Sequence, residues 1–122
     1  MKKIVGGLLL LGAFAFSNAQ TITFDKTTID YGTVKANSDG NRVFTFTNTG
    51  NKPLILSNVQ PGCGCTASEY TKEPILPGKK GEIKVHYNTA TVAPFKKTID
   101  VFSNDPANGR IVLYIQGTVV AQ

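Results

Sequence analysis

"RVFTFTNTGNKPLILSNV", residues 42–59, decides the fold. In its first half Phe44 and Phe46 fall on one side of an extended chain, and Thr45 and Thr47 on the other. That period of two marks a half-buried strand. "NTGNKP" (48–53) then reads as a turn, because Asn and Gly tolerate positive φ and Pro53 restarts an extended chain. "LILSNV" is the return strand. The same alternation of strand and turn continues outward in both directions. "TITF" and "TIDYGTV" precede it. "PILPGKKG" turns at Pro77-Gly78 into "EIKVHYN", with Ile83, Val85 and Tyr87 inward and Glu82, Lys84 and His86 outward. "KKTIDVFSN" offers Ile99 and Val101 to a core. "NDPANG" turns, and "RIVLYIQGTVV" closes with Ile111, Leu113 and Ile115 on one face. No segment beyond the first twenty residues has a helical period. About seven strands without helical crossovers predict an all-β, immunoglobulin-like antiparallel sandwich. There is no Trp and the two cysteines nearly adjoin, so no inter-sheet disulfide holds this core.

The start of the chain reads differently. "MKKIVGGLLLLGAFAFSNAQ" has Lys2 and Lys3, an apolar run from Ile4 to Phe16, and small residues before a cut between Ala19 and Gln20. This is the layout of a secretory signal peptide over residues 1–19. The run falls short of the roughly 20 apolar residues that span a membrane. Residues 20–122 would then be one exported sandwich domain, periplasmic or extracellular, with no membrane span after cleavage. Its 103 residues can enclose a single core. The formal charge of +5 drops to +3 without Lys2 and Lys3. The remaining basic residues are scattered, paired only at Lys79-Lys80 and Lys96-Lys97. Nucleic-acid binders gather charge on one face and add stacking aromatics. No such stripe exists, so no nucleic-acid partner is expected.

"TIDYGTV", "FTFTNTGNKPLIL", "GCGCT", "PILPGKKGEIKVHYN", "IDVFSND" and "LYIQGTV" occur in this order across residues 22–119. Together they resemble a bacterial secreted family of unknown function marked by a CGCT signature. That family is similar to the Hydin-type and major-sperm-protein-like immunoglobulin sandwiches. The resemblance implies a seven-stranded sandwich and export, and no established activity. More distant relatives of this kind act mostly as protein-interaction modules.

Catalytic chemistry finds little footing. His86 is the only histidine, so any Ser-His or Cys-His pair must use it, and it lies on the outer face of its strand. No G-x-S-x-G, H-E-x-x-H or phosphate-cradling loop is present. The eight carboxylates are spread over strands and turns. No enzyme activity and no cofactor are expected.

"GCGCT" (62–66) is the one place where chemistry could sit. In an oxidising compartment exposed free thiols seldom persist. Strand residues two apart have Cα atoms about 6.6 Å apart, at the limit of bridging range. Gly64 supports a tighter turn, making a Cys63–Cys65 disulfide conceivable. Closing so small a loop stabilises little, and a strained bond is easily reduced. The alternatives are a soft metal, an intermolecular disulfide, or two small residues that only shape a loop. Cys63 and Cys65 as thiolates suit Cu(I) or Zn(II), with His86 a weak third ligand. The leading expectation is a non-catalytic module for a protein or peptide ligand. The alternative is a thiol redox or soft-metal protein using Cys63 and Cys65.

Overall fold

The computed structural model describes residues 19–64 and 66–122. Eight strands follow in order: β1 (Ile22–Phe24), β2 (Thr28–Lys35), β3 (Asn41–Asn48), β4 (Leu56–Pro61), β5 (Thr66–Tyr70), β6 (Lys80–Tyr87), β7 (Pro94–Ser103) and β8 (Arg110–Val120). They form two four-stranded sheets, ordered β1-β3-β6-β5 and β2-β8-β7-β4. The expected all-β sandwich stands. The expected signal peptide falls almost wholly on residues 1–18, outside the described residues.

The inward positions read from the alternation supply the core. Phe44, Phe46, Ile83 and Val85 from the first sheet face Ile99, Val101, Leu113 and Ile115 from the second, all at 1% exposure or less. Each such side chain contributes about 1.5–3 kcal/mol on leaving water. Tyr31, Tyr87 and Phe95 close one end of the sandwich, with Tyr87 and Phe95 stacked at 3.9 Å between ring centroids. The Arg42 guanidinium lies 4.0 Å above the Tyr31 ring, and the Tyr31 hydroxyl donates to Gly40 O at 2.7 Å. Burial pushes the Tyr31 phenol above its ordinary range.

Three features differ from the sequence reading. First, "TASEY" is a full strand, β5, paired with β6, which brings the count to eight. Second, β2 and β8 run parallel. No helix is needed there, because the intervening strands themselves make the crossover. A bulge between Asp30 and Thr33, with Gly32 at φ 69°, lets β2 follow the sheet. Third, the return strand after the 48–53 turn starts late. Leu54 bridges Ile75 in isolation, and the backbone of Ile55 is taken by Asn104, through its Oδ1 and its N–H.

The 48–53 turn also uses a different device. None of its residues has positive φ among those that do: Asn37, Gly32 and Gly78. The fully buried Asn48 side chain shapes it instead. Its Oδ1 accepts the N–H groups of Thr21 and Gly50, and its Nδ2 donates to the carbonyls of Lys52 and Ile75. The Pro77-Gly78 turn behaves as read, with Gly78 at φ 80°.

Candidate functional site

The chain leaves β4, the edge of one sheet, at Pro61 and enters β5, the edge of the other, at Thr66. The "GCGC" segment is therefore the step between the two sheets at one side of the sandwich. Gly62 opens the step. Its N–H donates to Thr98 O at 2.9 Å, and a Cβ there would stand 2.7 Å from Thr98 Oγ1. A side chain at 62 would press on the Thr98 hydroxyl, which favours glycine there. The half-buried Cys63 is disulfide-bonded. The other cysteine of the sequence, Cys65, lies outside the described residues. Cys63 O accepts the N–H of Thr66 at 3.2 Å, and the Thr66 hydroxyl lies 3.9 Å from Cys63 Sγ. An oxidised sulfur carries no hydrogen, so the hydroxyl is the donor. Thr66 is itself buried at 5% exposure and begins β5.

Gly64 follows Cys63 in the step. It is exposed, a Cβ on it would meet open space, and its φ is outside the left-handed region. At 64 the backbone thus does not use the left-handed conformation that favours glycine.

His86 lies where the alternation put it, exposed on the outer face of β6. Its Nδ1 is 3.0 Å from Asn41 Oδ1, and Asn41 Nδ2 donates to Asp39 Oδ1 at 2.8 Å. A carboxylate only accepts, which orients the Asn41 amide and makes His86 Nδ1 a donor. The Asn41 backbone N–H, its side-chain amide, Arg42 and His86 together hold the Asp39 carboxyl below the usual carboxylate range, against the cost of partial desolvation. His86 and Asn41 border a shallow depression of about 320 Å³ on the outer face of the first sheet, lined also by Val43, Glu69 and Lys84. An oxidised Cys63 offers no thiolate to a metal. Among the described residues no group of three His, Cys, Asp or Glu side chains comes together for one.

The feature that sequence reading missed is the β5 edge. Thr71 N–H donates to Glu82 O on β6. By alternation Glu69 and residue 67 also bond to β6, leaving the N–H and C=O of Ser68 and Tyr70 directed away from the sheet. Beside them runs a depression of about 250 Å³ lined by Ser68, Glu69, Tyr70, Lys72 and Glu73. The only sequence signal for it was an extended-looking "TASEY" after the cysteines.

Known proteins agree with this architecture. The solved structure of a protein of unknown function from Porphyromonas gingivalis W83 is similar over 84% of this chain, at TM-score 0.73 and 15% identity. The chain spans about half, 48%, of that protein. The ASH/PapD-like domain 7 of human CEP192 matches over 85% of this chain and 88% of its own, at TM-score 0.66 and 8% identity. A third similarity is to the structure of the CsuC–CsuE chaperone–tip adhesion subunit pre-assembly complex of Acinetobacter baumannii. It covers 81% of this chain and 57% of that one, at TM-score 0.56 and 10% identity. At such identities the likeness concerns the fold. No curated protein matches the sequence. The model of the family described as protein of unknown function (DUF1573) matches residues 22–119, so the chain belongs to that family.

Proposed function

We propose that this member of the DUF1573 family is an exported, non-catalytic module that binds a protein or peptide ligand. The observation that carries the reading is β5, the last strand of its sheet beside the cysteine step, whose outward backbone groups have no partner strand. Exposed sheet edges are templates for added strands and a recurrent mode of peptide capture. The similar fold in a chaperone–adhesion subunit complex supports the same direction. The signal-like residues 1–19 support export, to the periplasm or beyond. Among the described residues no helix is long and apolar enough to cross a membrane. The dispersed carboxylates and the single exposed His86 give no nucleophile–base pair, which supports a non-catalytic role.

A photo-crosslinking residue placed at 69 in the full chain, expressed in cells, tests this. A discrete heavier species from position 69, absent when the crosslinker sits at exposed residue 108, is the expected result. Equal labelling from both positions, or none from either, overturns the reading.

The disulfide at Cys63 favours one further reading, a thiol–disulfide function using Cys63 and Cys65. Two cysteines two residues apart close a small ring that a dithiol reductant can open with transfer of two electrons and two protons. A measured reduction potential within reach of envelope dithiols supports it. A potential below about −300 mV marks the bond as structural and overturns it.

A further inference from the structure

We infer that β5 is the acceptor edge of the sandwich, and that its ligand is an extended segment carrying Lys or Arg opposite Glu69. This rests on the protein-binding reading and narrows it to one of four edges and one ligand chemistry.

The other three edges are each blunted. β1 has three residues, and its outward N–H at Ile22 is taken by the Asp105 carboxylate at 3.1 Å. β2 is split by the bulge between Asp30 and Thr33. On β4 the bond from Gly62 N–H to Thr98 O fixes the alternation, so Pro61 and Val59 face outward. Pro61 has no N–H to give, and the Val59 carbonyl receives the Ser68 hydroxyl at 3.4 Å. Bulges, proline and short length are the devices that protect edges from pairing.

β5 has none of these. Ser68 and Tyr70 each direct an N–H and a C=O outward, and the adjoining depression leaves space for a chain. Side chains alternate along it. Thr66, Ser68 and Tyr70 lie on the inner side, and Glu69 is exposed on the outer side. Lys84 is the registered neighbour of Glu69 on β6, so a strand added on the far side meets Glu69 in its next column. Glu73 lines the same depression. Lys72 Nζ is drawn over the Tyr70 ring at 5.5 Å. A cation on the incoming strand makes an opposite-charge cross-strand pair, and an acidic residue there is repelled.

The test uses the full chain and two synthetic ten-residue peptides. Both alternate Thr and Val, and they differ only in Lys or Glu at one central outward position. Binding is read by fluorescence anisotropy, and the edge by the backbone amide resonances of Ser68 and Tyr70. The Lys peptide is expected to bind about three- to tenfold more tightly than the Glu peptide, shifting both amides. The surface variant Glu69→Lys is expected to reverse the order. Equal affinity for the two peptides overturns the charge assignment. Binding that moves other amides and leaves Ser68 and Tyr70 unchanged overturns the edge while the protein-binding reading survives. No binding to millimolar peptide, together with a crosslinked partner from position 69, overturns the extended-segment ligand while the protein-binding reading survives. Self-association that shifts Ser68 and Tyr70 without peptide makes a second copy the occupant and overturns the proposed ligand. No peptide binding and no crosslink remove both readings.

Discussion

The Asp105 carboxylate accepts the backbone N–H of Ile22 across 83 residues of sequence, at 3.1 Å. The same side chain accepts the N–H groups of Ala107 and Asn108 at 2.8 and 3.0 Å, and Asp105 is only 3% exposed. One carboxylate thus builds the β7–β8 turn and ties the first strand to it. Desolvation opposes ionisation here, but the three N–H donors outweigh it and hold the carboxyl below its ordinary range. A depressed carboxyl stabilises the fold above the unfolded value, about pH 4, and that share is lost as pH falls through the folded value. Asp105→Ala leaves three donors without their acceptor and is expected to cost about 2–4 kcal/mol at pH 7. Urea unfolding at pH 7 and pH 3 checks both points. The difference between wild type and variant should shrink at pH 3, and parallel pH profiles would exclude the linkage.

Asn48 does on the other side of β1 what Asp105 does here, with an amide in place of a carboxylate. It needs both donor and acceptor, since two carbonyls and two N–H groups converge on it in a site of zero exposure. Asn48→Ala is expected to cost about 2–4 kcal/mol. Asn48→Asp keeps the size but turns an anion toward the carbonyls of Lys52 and Ile75. It should therefore be at least as damaging at pH 7, and should recover part of the loss near pH 3. Thermal melts of the two variants at both pH values decide this. An Asp variant as stable as wild type at pH 7 contradicts the bonding pattern.

These two residues also show what the sequence disclosed and what it hid. Strands with apolar side chains at every second position were legible, because burial of one face leaves a period of two: Phe44 and Phe46, Ile83 and Val85, Ile99 and Val101 all face inward. His86 was legible for the same reason. β5 was not, because at the margin of the sandwich its inner positions Thr66 and Ser68 are polar, and no apolar rhythm survives. The parallel β2–β8 pair was hidden because direction depends on the path of the intervening chain. Asn48 was read as a residue for positive φ, whereas its side chain is the structural element. Composition alone does not separate those two uses of Asn. The outward groups of Ser68 and Tyr70 depend on register, which only the assembled sheet fixes.

The Cys63 disulfide yields a prediction that separates bonding from stability. In a monomer Cys65 is its only possible partner in the sequence. Intact mass after purification without reductant should lie about 2 Da below the value after reduction, two hydrogens being gained when the bond opens. A loop this small removes little entropy from the unfolded chain, so Cys63→Ser should change stability by less than about 2 kcal/mol. Alkylation of both thiols without prior reduction would contradict the bond, and a mass of twice the chain would make it intermolecular.

Gly62 and Thr98 meet at the entry to the cysteine step. A methyl at 62 would stand 2.7 Å from Thr98 Oγ1 and 3.3 Å from Thr98 O. The Gly62 N–H bond to Thr98 O at 2.9 Å keeps the two backbones together. Gly62→Ala must therefore move Thr98 or lengthen that bond, at about 1–3 kcal/mol. Removing the hydroxyl with Thr98→Ala leaves the carbonyl contact, which a shift of a few tenths of an ångström relieves. The double variant should then be more stable than the sum of the single effects by about 0.5–2 kcal/mol. By contrast Gly64→Ala, whose methyl meets open space, should cost less than about 0.5 kcal/mol. A double-mutant cycle in urea gives the coupling directly. Additive single effects would mean that the close approach at Gly62 is not what requires glycine there. A costly Gly64→Ala would return the conformational role to the glycine between the cysteines.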